Sequence, residues 1–311
     1  MKLIQGDCLE EMRKLAEEDV QIDLILTDPP YNTIKNIALK GWDNNTTKWD
    51  NEIPMYDMFK CCEELLRMNG TLILFSQEPY TSRLRTYGYP NLSFIYPLYW
   101  LKDHFANNLL VNKAPVNFVE NLSVFRKDYD SKLLNPLREY SAYLLENIGA
   151  KKDIMEKIGG KADHFFRCNS NQFALCTEET YNELIYYYSI DKLDGFKSYD
   201  ELVEINSKFN SKFNSKSKYK SNVFQYKRPY NGFHPTEKPV DLLKDLILTY
   251  TDNGDLVLDF TMGSGSTGVA CLQTNRKFIG IELDENYYNI AKQRINEANE
   301  QKKISLGEND G

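Results

Sequence analysis

Residues 28–31 read Asp28-Pro29-Pro30-Tyr31 and follow the mostly apolar run Ile22 to Leu26. A carboxylate, two stiff carbonyls and an aromatic ring therefore stand together where a strand pattern ends. These groups suit the holding of a flat, extruded base by its exocyclic amine. Such an amine is a poor nucleophile, because its lone pair is delocalised into the ring, but it offers two N–H donors. A site that accepts both bonds favours the pyramidal nitrogen formed during attack, a case of preorganised electrostatic stabilisation. Asp28 can accept one bond and the Pro29 carbonyl the other. Proline fixes φ and has no N–H, so Pro29-Pro30 forms a stiff turn with free carbonyls. Tyr31 offers a ring on which a base can stack. The plainer reading is a strand-to-loop turn, since Asp and Pro are ordinary turn residues.

A second motif lies far along the chain. Asp255 to Asp259 is a short strand pattern, followed by Phe260-Thr261-Met262-Gly263-Ser264-Gly265-Ser266-Thr267-Gly268, a helical stretch over Val269 to Asn275, and a second strand pattern from Lys277 to Asp284. This is a βαβ unit with a glycine-rich first turn, where the backbone can approach a ligand closely. Glu282 falls about 20 residues after the first strand, where an acid binds ribose hydroxyls, so the ligand must carry an unphosphorylated ribose. The spacing Gly263-x-Gly265-x-x-Gly268 also fits a dinucleotide fingerprint. A nicotinamide-dependent oxidoreductase therefore stays open at this point, as does a glycine turn used only for packing.

Together the two motifs resemble those of the DNA amino-methyltransferases that use S-adenosylmethionine, in the permuted group where Asp-Pro-Pro-Tyr precedes the glycine-rich motif. The resemblance covers roughly residues 1–127 and 230–296. Gln5-Gly6-Asp7-Cys8 matches the end of the family's first strand, which implies an acid near the cofactor's adenine. His234-Pro235-Thr236-Glu237-Lys238-Pro239 matches His-Pro-Thr-x-Lys-Pro, an element that helps to bind the methionine end. Lys48-Trp49-Asp50 and Gln77-Glu78-Pro79-Tyr80 look like a phage- and prophage-type branch. The chain departs from the family in the glycine motif, which usually begins Asp-Pro-Phe-x-Gly and here reads Asp259-Phe260-Thr261-Met262-Gly263. The resemblance implies Asp28, Pro29, Pro30 and Tyr31 as the catalytic turn. For the cofactor it implies Asp7, Cys8, Asp28, Thr236, Lys238, Asp259, Phe260, Thr261, Gly263, Ser264, Gly265, Ser266, Thr267, Glu282 and Leu283. It further implies a site-specific enzyme of restriction-modification type acting on N6 of a flipped adenine in duplex DNA, since Asp at the first motif position goes mainly with adenine. N4 of cytosine is the alternative, and a non-catalytic DNA-binding module is a reading from another class.

Positioning these residues requires alternating elements. Lys2 to Gln5, Asp23 to Thr27, Thr71 to Ser76, Ser93 to Leu101 and Asn121 to Lys127 read as strands. Cys8 to Glu18 and Pro54 to Met68 read as helices, the latter closed by Asn69-Gly70 as a C-cap. Such alternation predicts an α/β fold with a doubly wound, mostly parallel, seven-stranded Rossmann-like sheet and a helical insert. The strands that end in Asp28 and Asp259 should be neighbours at the topological switch point, where ligands bind. The expected organisation is a catalytic half at 1–127, a helical target-recognition insert with a basic linker at 128–229, and a cofactor-binding half at 230–311.

Between the motifs, Leu133 to Ile148, Lys151 to Ile158, Thr177 to Ser189 and Ser198 to Ile205 read as helices. A Gly159-Gly160 turn among them suggests a helix-turn-helix-like module. Lys161, His164, Arg167, Asn169, Asn171 and Gln172 are side chains able to contact bases or phosphates. Lys35, Lys48 and Trp49 lie in the long polar loop 32–53, whose length suggests a functional segment over the extruded nucleotide. From Ile205 to Asn231 there is no acid but seven Lys or Arg, among them Lys208, Lys212, Lys220, Lys227 and Arg228. That stretch is either a solvated connector or a phosphate-contacting strip.

Composition sets the outer limits. A chain of 311 residues can bury a catalytic core and a smaller module. Net charge is -7, so a DNA-binding surface must come from local charge distribution. No run is apolar enough to span a membrane, and the strand pattern from Met1 onward leads us to expect no signal peptide. Six cysteines without C-x-x-C spacing and three scattered histidines support neither zinc nor disulfides. A cytoplasmic protein with reduced thiols and no metal is expected. Its candidate partners are double-stranded DNA, a second copy of the chain and a cognate restriction endonuclease.

Overall fold

The computed structural model describes residues 1–31, 51–106, 111–127, 135–170, 172–209, 212–214, 219–229 and 237–307. Two compact units emerge, one from 1–128 with 211–311 and the other from 129–210.

The larger unit holds one sheet. Its strands are β1 (Lys2–Gln5), β2 (Ile22–Thr27), β3 (Leu66–Ser76), β4 (Leu92–Ala106), β5 (Asn117–Lys127), β6 (Val223–Gln225), β7 (Leu256–Asp259) and β8 (Lys277–Glu282). The spatial order is β1-β8-β7-β2-β3-β5-β4-β6. From β1 to β3 all neighbours are parallel, β3–β5 and β5–β4 are antiparallel, and β4–β6 is parallel again. Eight strands replace the expected seven. The extra one, β6, is a three-residue edge segment held on β4 by Tyr99 N donating to Asn222 O at 2.8 Å and by Trp100 Nε1 donating to Tyr226 O at 2.8 Å.

Alternation along each strand divides the core between two faces. Leu24, Leu26, Ile73 and Phe75 pack with α8 (Val240–Tyr250), α9 (Ser266–Gln273) and α10 (Glu285–Gly307) through Leu242, Leu246, Ala270 and Ile295. Ile25, Leu72, Leu74 and Leu258 face α1 (Cys8–Glu17), α2 (Met55–Leu65) and α3 (Tyr80–Thr86) through Met12, Leu15, Phe59, Cys62 and Leu84. Each such side chain contributes about 1.5–3 kcal/mol on burial. Helices on both faces explain why β2 and β7 read as nearly continuous apolar runs.

The expected helix end at Asn69-Gly70 is not there. Helix α2 stops at Leu65, and the chain runs straight into β3. Ile22 pairs with Leu66 while Leu24 pairs with Thr71, so extra residues bulge out of β3 between those two pairs. Asn69 takes φ 57° there. A Cβ at Gly70 would lie 2.8 Å from the Arg67 carbonyl, so the turn chemistry that signals a cap serves a bulge instead. The basic strip is also partly accounted for. Lys212 pairs with Asp255 at 2.6 Å and Asp23 at 3.4 Å, and Lys220 with Asp245 at 2.5 Å, so these two lysines of the strip are engaged within the larger unit.

The smaller unit has its own core. It contains α4 (Pro136–Ile148), α5 (Lys151–Ile158), α6 (Glu178–Tyr188) and α7 (Tyr199–Phe209). Leu137, Leu144, Ile154, Phe165, Tyr181, Leu184 and Leu202 are buried among themselves. Tyr140 and Tyr181 share a hydroxyl–hydroxyl bond at 2.6 Å inside it. No described helix is long and apolar enough to cross a membrane.

Candidate active site

Strands β2 and β7 are parallel neighbours, with Leu24 opposite Val257 and Ile25 opposite Leu258. Onward connections leave them in opposite directions, β2 toward β3 and β7 toward β8. A crevice opens at such a point beyond the strands' carboxyl ends. A cavity of about 390 Å³ occupies it. Its wall includes Asp7, Cys8, Asp28, Pro29, Pro30, Tyr31, Lys238, Asp259, Phe260, Thr261, Gly263, Ser264, Ser266, Thr267, Glu282 and Leu283. The Asp28-Pro29-Pro30-Tyr31 turn and the glycine-rich turn, 231 residues apart at Asp28 and Asp259, thus share one cavity.

Asp259 fastens the two turns together. It accepts from Thr27 Oγ1 at 2.8 Å, Thr267 Oγ1 at 2.6 Å and Thr261 N at 3.2 Å. Thr261 Oγ1 in turn donates to the Asp28 carbonyl at 3.1 Å. Burial pushes the Asp259 carboxyl up to about 6, against the lowering effect of the Thr267 and Thr27 hydroxyls. Glu282 receives Gly263 N on Oε2 at 2.8 Å and Asp284 N on Oε1 at 2.9 Å, and burial raises its carboxyl above the usual range. Each of its oxygens keeps a second lone pair for a hydroxyl donor. Phe260 is buried against Leu258 and Ile279, so it packs into the core and also lines the cavity. Asp7 caps α1, accepting from Leu9 N and Glu10 N through Oδ1.

Asp28 is the most constrained group. Its Oδ2 accepts from Lys238 Nζ, while its Oδ1 is buried and has no partner among the described residues. Burial raises its carboxyl, with Lys238 pulling the other way. Lys238 also meets Glu120 at 2.9 Å, and Lys102 meets the other Glu120 oxygen at 2.5 Å. Burial works to raise the Glu120 carboxyl, yet Lys238 and Lys102 hold it below its ordinary value. Tyr31 stacks on Tyr80 at 5.3 Å and 15°, so a second aromatic backs the motif ring. Arg83 lies over Tyr80 and grips Glu52 through two bonds, at 2.9 and 2.7 Å.

Gly265 does not line the cavity. It takes φ 81° before α9, and a Cβ there would stand 2.9 Å from Ala291 Cβ, so its role is to let α10 approach. Thr236, Lys35, Lys48, Trp49 and Asn171 lie outside the described residues. In the smaller unit Lys161 pairs with Glu183 at 2.9 Å. Arg167 binds Asp163 through Nε at 2.7 Å and Gln172 through its amide oxygen. Together with Lys151 it holds the Asp163 carboxyl at about 2. His164 Nδ1 lies 2.9 Å from the Gln172 carbonyl, and Asn169 is exposed. Lys227 is exposed, and Arg228 N donates to Asp103 at 2.9 Å.

Sequence reasoning missed Glu120, Lys102, Phe75, Glu237, Met262 and Tyr287. Glu237 was visible only as the variable position of its motif. It pairs with Arg294 at 2.7 Å, and its Oε2 is buried at the cavity without a partner among the described residues. Glu120 and Lys102 are single charges inside strand patterns, and nothing short of the β4–β5 register would join them.

The family described as DNA methylase matches residues 22–293. The Type II methyltransferase M.Cfr9I of Citrobacter freundii is 26% identical over 94% of this chain and 87% of its own length. The DNA adenine methyltransferase YhdJ of Escherichia coli K12 is 25% identical over 95% and 83%. The solved structure of M1.HpyAVI in complex with SAM superposes with a TM-score of 0.55 at 19% identity, covering 94% of this chain and 98% of that one.

Proposed function

The chain belongs to the DNA methylase family, and on that premise we propose that it transfers a methyl group from S-adenosylmethionine to N6 of an adenine flipped out of duplex DNA. The observation that carries the reading is the buried Asp28 Oδ1, an acceptor without a partner among the described residues beside the glycine-rich turn. A buried carboxylate oxygen left unmet is costly, and an amine N–H satisfies it.

The methyl donor fits the groups present. Glu282 has lone pairs for ribose hydroxyls, and the unpartnered Glu237 Oε2 suits an ammonium group. The bound donor supplies a methyl group on a positively charged sulfur. The chain supplies the geometry. Lys238 occupies Asp28 Oδ2, leaving Oδ1 to accept one N–H of the target amine. The Pro29 carbonyl takes the other N–H, and Tyr31, backed by Tyr80, supports the base. With the amine aimed at the donor, orientation provides most of the rate, for which effective molarities reach about 10⁵ M or more. Asp28 works as a hydrogen-bond acceptor rather than as a strong base. As the C–N bond forms, the C–S electron pair leaves with the sulfur, and the proton that the methylated nitrogen then sheds passes by way of Asp28 Oδ1 to solvent.

Adenine is favoured by Asp at the first motif position and by the likeness to an enzyme named as an adenine methyltransferase. Target recognition falls to residues 129–210, where Arg167, Asn169 and Gln172 gather on one turn region. Arg167→Ala and Gln172→Ala should change the methylated sequence or the affinity for it.

Single-molecule sequencing of DNA from cells expressing the protein tests the reading. N6-methyladenine in one short motif is expected, and N4-methylcytosine or unmodified DNA would overturn it.

A further inference from the structure

Four charges run in a line behind the catalytic turn. Asp28 stands at the end of β2, Lys238 just before α8, Glu120 on β5 and Lys102 on β4. Their side chains are between 6% and 19% exposed, so water does little to screen them. Two aromatic rings close the line. Lys238 lies 5.1 Å from the centre of Phe75, and Lys102 lies 4.9 Å from that of Trp100. Negative and positive alternate, and the quartet is neutral as a whole. Asp28 also faces Asp259 from β7 and the Tyr80 hydroxyl from α3, and both of these sense its charge.

The arrangement has a use that the turn alone lacks. A lysine facing one buried carboxylate would be free to swing across both of its oxygens. Here Lys238 gives a hydrogen bond to Oδ2 of Asp28 and is drawn from the far side by Glu120 Oε1, an ion pair at 2.9 Å without hydrogen-bond geometry, which biases the ammonium toward Oδ2 and leaves Oδ1 for the substrate. Glu120 also takes a share of the lysine's charge, so that Asp28 remains a strong acceptor. Lys102 keeps Glu120 ionised and occupies its second oxygen.

We propose that Glu120 is a positioning residue for methyl transfer, acting through Lys238 on the orientation and acceptor strength of Asp28, with Lys102 as its counter-charge. This rests on the reading of Asp28 as the acceptor of the target amine. Removing Glu120 shifts the Lys238 charge toward Asp28, which weakens the acceptor and favours its ionised form. Removing Lys102 leaves an extra negative charge beside Lys238, which favours protonated Asp28. Removing both restores a neutral Asp28–Lys238 pair.

The test is steady-state kinetics of Glu120→Gln, Lys102→Met and the double variant over pH 4.5 to 9. Binding of S-adenosylhomocysteine, measured by calorimetry, serves as a control. Glu120→Gln should lower kcat by roughly thirtyfold, within the range that a small misplacement produces, with the KM for the donor changed less than about threefold. The acid limb of its kcat profile should move to lower pH. Lys102→Met should move that limb to higher pH. The double variant should return the limb to its wild-type position but keep the lowered kcat, because the charge balance is restored while no carboxylate holds Lys238 from the far side. Opposite shifts are not what a merely structural role produces. If the limbs stay in place, or move in the same direction, the proposal is wrong. If Glu120→Gln does not fold, Lys102→Met and the double variant decide alone: an unmoved limb in the first, or an uncorrected one in the second, overturns it. Asp28→Ala separates the two levels. Full methylation by that variant defeats the underlying reading, whereas its loss with unmoved limbs defeats only the role given to Glu120.

Discussion

An ionised carboxylate has about four lone-pair sites, and what a protein does with them decides whether it is a structural or a working group. Asp259 spends its sites on two threonines and a backbone N–H, whereas Asp28 gives one oxygen to Lys238 and keeps the other for the cavity. Asp28→Asn keeps the shape but loses the charge that binds Lys238. It should cut kcat by about 10²–10³, the loss typical when a preorganised electrostatic contact is removed, while calorimetry should find the affinity for S-adenosylhomocysteine within a few-fold of wild type. Asp259 makes a pH prediction. Burial raises its carboxyl from 3.8 to about 6 in the folded state. Its contribution to stability is therefore fully present below pH 4 and is lost as pH rises through 6, a cost of about 3 kcal/mol. Denaturant unfolding of wild type and Asp259→Asn should show the wild type losing ground to the variant between pH 4 and 6.5. Parallel curves would mean that Asp259 does not titrate in this way.

The βαβ element that carries the glycine turn is packed to its limit. A Cβ on Gly268 would stand 2.4 Å from Ile295 Cδ1. Gly268→Ala should cost about 1–3 kcal/mol by overpacking, read as a lower Tm, and weaken S-adenosylhomocysteine binding by displacing α9. A variant as stable as the wild type would refute that packing account. This element was legible in the sequence, because its glycines, alternating apolar residues and terminal acids are all local signals. The neighbouring strands that end in Asp28 and Asp259 followed from the same pattern. Asn69-Gly70 misled, since a left-handed residue followed by glycine signals a helix stop and a strand bulge equally well. Segment β6 was too short to give a period. The Glu120–Lys102 pair was invisible because its meaning comes from an antiparallel register, and its link to Asp28 spans 92 residues.

At the scale of the molecule, two units with separate cores share one chain. Leu184→Ala in the helical unit should cost about 2–5 kcal/mol and lower one unfolding transition only, leaving S-adenosylhomocysteine binding unchanged; a lowered transition in the catalytic unit would contradict independent cores. Residues 129–210 hold 14 acidic and 10 basic side chains, a net charge of -4 within the chain's -7. The proposed reading of DNA by this unit would therefore rest on a few side chains rather than on an overall field. The methylated product identifies the reaction. Duplex DNA incubated with methyl-deuterated S-adenosylmethionine, digested to nucleosides and weighed by mass spectrometry, gives the answer. Deuterated N6-methyladenine is expected from the wild type and about a thousandfold less from Asp28→Ala, a loss in line with removal of a preorganised acceptor, with S-adenosylhomocysteine binding retained. Label on cytosine, or undiminished label on adenine from the variant, would contradict it.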